Sequence, residues 1–188
     1  MMDSIVGSPL SVVRIRPDDQ LNLRQTPSVR ATSVALLPFR FEGMRATGHA
    51  CSVDNALWVE IESSVGRGWV NQYYAQPSSS FRRVERVGAT PSEQLRAATL
   101  PGLAALLRQD LASFSGIGPS GKSEVELVGF VERGKKGQIV LFDANGGDDS
   151  ISGQEFVVGV ALATEGWRVQ QIEVRATCWR GVSEGFCR

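Results

Sequence analysis

The sequence predicts a mainly β N-terminal part followed by an α+β layer, and three observations lead there. Short β-type runs separated by turn residues fill Ser11 to Tyr74 with no helical spacing; a capped, Leu-rich segment follows; and four alternating runs divided by Gly-rich turns close the chain. Helices first and an antiparallel meander second argue for a sheet with helices on one face. A length of 188 residues accommodates two small units. The Pro-bearing stretch Ala75 to Ser80 reads as the linker between them, which places one domain at 11–77 and the other at 88–188.

In the first unit Val12, Val13 and Ile15 form a β-branched run that Pro17-Asp18-Asp19 ends. Leu21 and Leu23 alternate with Asn22 and Arg24, and Pro27-Ser28 turns the chain. Val34 to Leu37 is a further strand, followed by the alternating pair Phe39 and Phe41 and a break at Gly43. Thr47 to Asn55, polar and Gly-containing, reads as a long hairpin loop. Leu57 to Ile61 alternates again, Gly66-Arg67-Gly68 turns, and Trp69-Val70 closes. Five or six short strands in so few residues suggest a closed barrel or compact sandwich.

The ordered set Leu21-Asn22-Leu23-Arg24, Pro27, Trp58, Gly68-Trp69-Val70 and Tyr74 resembles bacterial SH3-like (SH3b) domains. It covers about a third of the chain, with Gln25 and Thr26 standing where that family commonly has Ser-Gly. The resemblance implies an SH3-like β-barrel that holds a peptidoglycan peptide or another envelope protein, in an extracytoplasmic setting. Large aromatics with a polar tip suit a binding rim, so Trp58, Tyr73 and Tyr74, with Asn22, are the candidate ligand contacts. Arg24 reads as a residue that fixes the adjacent turn.

In the second unit Thr90-Pro91-Ser92-Glu93 is a helix start, with Thr as N-cap, Pro in the first turn and Glu three residues on. Pro101-Gly102 is expected to interrupt that helix, and a second then runs from Leu103 with Leu103, Leu106, Leu107, Leu111 and Phe114 on one face. The four strands are expected at Glu124–Glu132, Gly137–Ala144, Glu155–Thr164 and Trp167–Cys178, the last bulged near Gln170-Gln171 so that Trp167 and Ile172 both face inward. The order resembles cystatin and NTF2-like domains in topology only, and a fold likeness supplies no function. It does raise an alternative: a small-molecule or peptide pocket lined by Trp167, Phe130, Phe142 and Phe156, or a subunit of a larger secreted assembly.

Composition narrows the function classes. Formal net charge is zero, with seven basic and seven acidic side chains in residues 1–77 and thirteen of each beyond. The basic surplus of a nucleic-acid binder is missing. The longest strongly apolar run, Phe156 to Ala163, is far short of the roughly 20 residues of a membrane-spanning helix. Met1 to Ile5 shows neither a basic nor an apolar signal region, so the chain is taken as a processed or truncated form. Cys178 and Cys187 are close enough to staple the tail to the final strand. A disulfide there is favoured over two free thiols, leaving Cys51 without an assigned role.

Catalytic and metal constellations are judged against. His49 and Cys51 lack a third residue to orient the base. One His and no Cys-x-x-Cys cannot build the usual zinc set. Asp143 to Asp149 lacks EF-hand spacing and reads as a solvated turn. Gly116 to Ser123 has P-loop glycine spacing but lies between a helix and a strand in the inverted order. Glu124 and Glu126 read as the solvent face of an edge strand. The expectation is a non-enzymatic binding or adaptor protein with no catalytic residues, metal or cofactor.

Overall fold

A computed structural model describes Gly7 and residues 9–84, 95–114, 125–144, 150–184 and 186–187. The expected helix start at Thr90 to Glu93, the glycine loop at 116–123, Glu124 and the turn at 145–149 lie outside these residues. The described chain is mostly strand, with one α-helix and antiparallel pairing. Contacts divide it into two units, Met1–Ser79 with Thr177–Arg188, and Ser80–Ala176.

The first unit contains β1 (Pro9–Val12), β2 (Gln20–Arg24), β3 (Ser33–Pro38), β4 (Met44–Val53), β5 (Ala56–Ser63), β6 (Gly66–Asn71), a 3-10 turn at Gln72–Tyr74 and β7 (Ala75–Pro77). These form one seven-stranded sheet in the order β3-β2-β6-β5-β4-β1-β7. Alternation on the strands aims Leu21, Leu23, Val59, Ile61 and Val70 into one core with Leu10, Val12, Leu37 and Met44. Burying such side chains stabilises by about 1.5–3 kcal/mol each. Gly68 is required by close approach: a Cβ there would lie 2.6 Å from the Arg24 carbonyl oxygen, and Arg24 pairs with Trp69 where β2 joins β6. Arg24 also reaches Ala31 O with Nη1 at 2.7 Å, closing the turn after its own strand as expected.

Two stretches depart here from their sequence readings, the first as a whole and the second, whose span still contains the division between units, only in its first three residues. The segment Thr47 to Asn55 is mostly strand, paired with β5 through Cys51↔Trp58 and Val53↔Ala56. The loop shrinks to Asp54-Asn55, both with positive φ, the conformation of a two-residue hairpin turn. A register shift between Ala46 and Ala50 takes up Gly48. The presumed linker begins with a strand, since Ala75–Pro77 pairs with β1, and the division between units falls after Ser79.

The second unit continues with β8 (Arg82–Arg83), β9 (Arg96–Ala97), the helix Leu100–Phe114, β10 (Val125–Arg133), β11 (Lys136–Asp143), β12 (Ile151–Ala163) and β13 (Gly166–Cys178). The sheet runs β10-β11-β12-β13-β8, with β9 also on β13. Pro101-Gly102 does not break the helix but sits in its first turn, where a missing N–H leaves no helical bond unmade. Thr99 caps it, accepting from Gly102 N at 3.2 Å through its hydroxyl and from Leu103 N at 3.0 Å through its carbonyl. The buried stripe is Leu100, Leu103, Ala104, Leu107 and Leu111, whereas Leu106 is exposed. This stripe meets Ile139, Leu141, Val158, Val160 and Trp167. Arg108 ties the helix to β10 through Val125 O at 2.8 Å.

On β13 the burial changes parity across the exposed Gln170 and Gln171, so Trp167 and Ile172 both face the core. The face of β12 and β13 away from the helix carries a buried ion pair: Arg175 donates from Nε and Nη2 to Glu155 Oε2 at 2.8 and 2.6 Å. The Phe81 ring lies 4.3 Å from the guanidinium carbon. Beyond β13 the chain returns to the first unit through the Ser78↔Thr177 bridge, then β14 (Val182–Ser183) and β15 (Phe186–Cys187) form a small hairpin.

Candidate functional site

The hairpin at the C-terminus is closed by a disulfide between Cys178 and Cys187, whose Cα atoms are 5.2 Å apart. Val182 pairs with Cys187 and Ser183 with Phe186, with positive φ at Gly181 and Glu184 to make the turns. Next to the two bridged cysteines in sequence stand Trp179 and Phe186, exposed to 57% and 76%. An aromatic pair left in solvent on a covalently closed loop is the arrangement of an anchor: large contact area with little conformational freedom to lose. Neither residue is among the sequence-derived candidates, although aromatics abutting both cysteines of a predicted bridge were the available signal.

The four candidates do not form one surface patch. Trp58 is 2% exposed, so its ring is not a surface contact; it shares the face of β5 with Glu60, opposite to Val59 and Ile61, and is nonetheless covered. Tyr74 is half-buried against the first core. Tyr73 is exposed, held edge-on to Tyr74 with centroids 4.9 Å apart and lying 4.5 Å from the Arg14 guanidinium. Asn71 positions that turn by accepting from Tyr73 N at 2.9 Å. Asn22 is on β2, half-buried and paired across to the exposed Leu36 of the edge strand β3.

A second cluster lies on the polar face of β4, β5 and β6. Glu60 Oε2 accepts from Thr47 Oγ1 at 2.7 Å, from Arg67 Nη2 at 2.7 Å and from His49 Nδ1 at 2.8 Å, while Oε1 accepts from Arg67 Nε at 3.0 Å. The carboxylate only accepts, so Nδ1 carries the proton. Hydrogen bonds from Arg67 and then Thr47, helped by His49, hold the Glu60 carboxyl at about 2 against the opposing effect of burial. Because the folded value lies below the ordinary 4.5, the stabilisation is complete above that value and is lost as pH falls toward about 2. Thermal unfolding followed from pH 5 to pH 2 should show a falling midpoint that flattens in Glu60→Gln; an identical slope in the variant would contradict this role. His49 and Cys51 share no hydrogen bond among the described residues.

The aromatic pocket expected in the second unit is filled by its own walls. Trp167 is buried in the core beneath the helix, Phe130 and Phe156 pack against that core, and Phe142 is buried. An open groove of about 530 Å³ instead lies at the ends of β10 to β13, lined by Arg133, Lys136, Gln138, Gly159 and Gln171 among others. Among the described residues no three His, Cys, Asp or Glu side chains are placed to hold a metal ion. No described helix is long and apolar enough to cross a membrane. No family model, curated protein or solved structure matches the chain.

Proposed function

We propose that the chain is a non-enzymatic, extracytoplasmic binding protein of the bacterial envelope whose first unit, an SH3b-like module, docks a protein partner through the disulfide-closed hairpin. The observation behind this reading is the exposed pair Trp179 and Phe186 beside the Cys178–Cys187 bridge. The bridge favours an oxidising compartment, where such bonds form and persist. Exposed aromatics that exclude water on contact are the residues that dominate binding energy in protein interfaces. The ordered resemblance from Leu21 to Tyr74 supports the same reading, with Tyr73 and Asn22 as further surface groups.

The test is co-sedimentation of purified protein with envelope fractions and, separately, with protein-free peptidoglycan. Wild-type protein should be retained by the envelope fraction, and Trp179→Ala/Phe186→Ala should lose at least tenfold in retention while keeping its unfolding midpoint. Equal retention of the variant would contradict the hairpin as the contact. Retention by bare peptidoglycan at the same level would replace the protein partner with the wall itself.

A further inference from the structure

We infer that the groove at the ends of β10 to β13 is a binding site for a short acidic peptide segment. The inference stands apart from the proposed role of the first unit.

The register shows how the groove arises. Arg133 pairs with Lys136, Val131 with Gln138, Lys136 with Ala161 and Gln138 with Gly159, and in an antiparallel sheet directly paired residues share a face. Gly137, Ile139, Val158 and Val160 belong to the other face, where Ile139, Val158 and Val160 join the helix-side core. The groove therefore lies on the face opposite the helix. Gly159 lets the Gln171 side chain lie close over β12 at the wall of the groove: a Cβ there would meet Gln171 Cγ at 3.0 Å.

Three features point to the ligand. First, two cations sit directly across from each other on β10 and β11, a like-charge pairing that costs stability in a sheet. Neither the Arg133 nor the Lys136 side chain makes a hydrogen bond or ion pair among the described residues, and no acidic side chain lines the groove. Both are exposed, and an anion between them would relieve the repulsion. Secondly, Gln138, Gln170 and Gln171 line the same space, and each carboxamide offers donors together with an acceptor. A bare oxyanion would use only the donors, whereas peptide amides use both. Thirdly, a groove of about 530 Å³ falls in the range of sites for small organic ligands and exceeds what one oxyanion fills.

The experiment uses the full chain and three probes: acetyl-Glu-Glu-amide, the neutral acetyl-Gln-Gln-amide, and inorganic phosphate. Titrations are followed by NMR of the Gln138 and Gln171 side-chain amides and by calorimetry. The acidic peptide should shift both amide signals and saturate, the neutral peptide should bind at least tenfold more weakly, and phosphate should leave the glutamine signals in place. Arg133→Gln/Lys136→Gln should weaken the acidic peptide at least tenfold. Gln171→Ala, an exposed change that leaves the cations intact, should weaken the acidic peptide at least threefold by calorimetry while the unfolding midpoint is retained. No shift at millimolar acidic peptide, unchanged affinity in the double variant, or phosphate reproducing the same shifts would each overturn the assignment.

Discussion

Replacing Glu155 by Gln is expected to destabilise the second unit by about 3–5 kcal/mol, because it removes the carboxylate that the buried Arg175 guanidinium pairs with in the interior. Both side chains are fully buried, and Arg175 meets one carboxylate oxygen with two of its nitrogens, at 2.8 and 2.6 Å. Removing either member takes away the opposite charge, which offsets much of the cost of burying the other. Arg175→Met should be comparably harmful, taking the guanidinium from the buried carboxylate and losing the stack on Phe81. The double change Glu155→Leu/Arg175→Met should be much milder than the sum of the singles, since a buried pair replaced by apolar groups of similar size is often close to neutral. Denaturant titration of the four proteins checks this. A loss below 1 kcal/mol in Glu155→Gln, or additivity in the double variant, would show that the pair is not the solvent-excluded unit described.

Leu107→Ala carries the second large effect, about 2–5 kcal/mol. Leu107 is fully buried in the middle of the helix stripe, between Leu103 and Leu111, in the core cluster that includes Ile139 and Val158 of the sheet. The substitution removes the transfer energy of the side chain and leaves a cavity that Arg108, anchored to Val125 O, restrains the helix from closing. Leu106→Ala, one position away but exposed, should cost well under 1 kcal/mol. Equal effects at the two positions would contradict the orientation of the helix.

The contrast between neighbouring leucines also marks what the sequence discloses. Helical spacing locates the stripe but admits both Leu106 and Leu107, and only the packed sheet decides between them. The meander from β10 to β13 is legible to within a residue at every strand end but one, because alternation and turn residues at Gly134 and Glu165-Gly166 leave little freedom. The exception is β12, which begins at Ile151 and not at the expected Glu155. The parity change at Gln170-Gln171 follows from the positions of Trp167 and Ile172. β4 is obscured because Thr47 and His49 are polar for the sake of Glu60, and Gly48 sits at a register shift. Pro101 misleads because Thr99 caps the helix and so makes it a first-turn residue, where the missing N–H leaves no helical bond unmade.

The candidate site was less accessible. Trp58 shares the Glu60 face of β5, where alternation alone expects exposure, and tertiary covering buries it. The bridge between Cys178 and Cys187, favoured in the sequence over two free thiols, is present in the structure. The exposure of Trp179 and Phe186 does not follow, because an apolar aromatic beside a cysteine is equally at home in a core. The groove in the second unit depends on register, which sets Arg133 against Lys136 and Gly159 beside Gln171 from four separate strands.

The most direct test of the account places a photo-crosslinking amino acid at position 179 and, in a second protein, at the exposed Leu162 of the second unit. After irradiation on envelope material, position 179 should yield a discrete protein adduct that disappears when Phe186→Ala is added, and position 162 should not yield it. Adducts of equal yield from both positions, or none from 179, would contradict docking through the disulfide-closed hairpin.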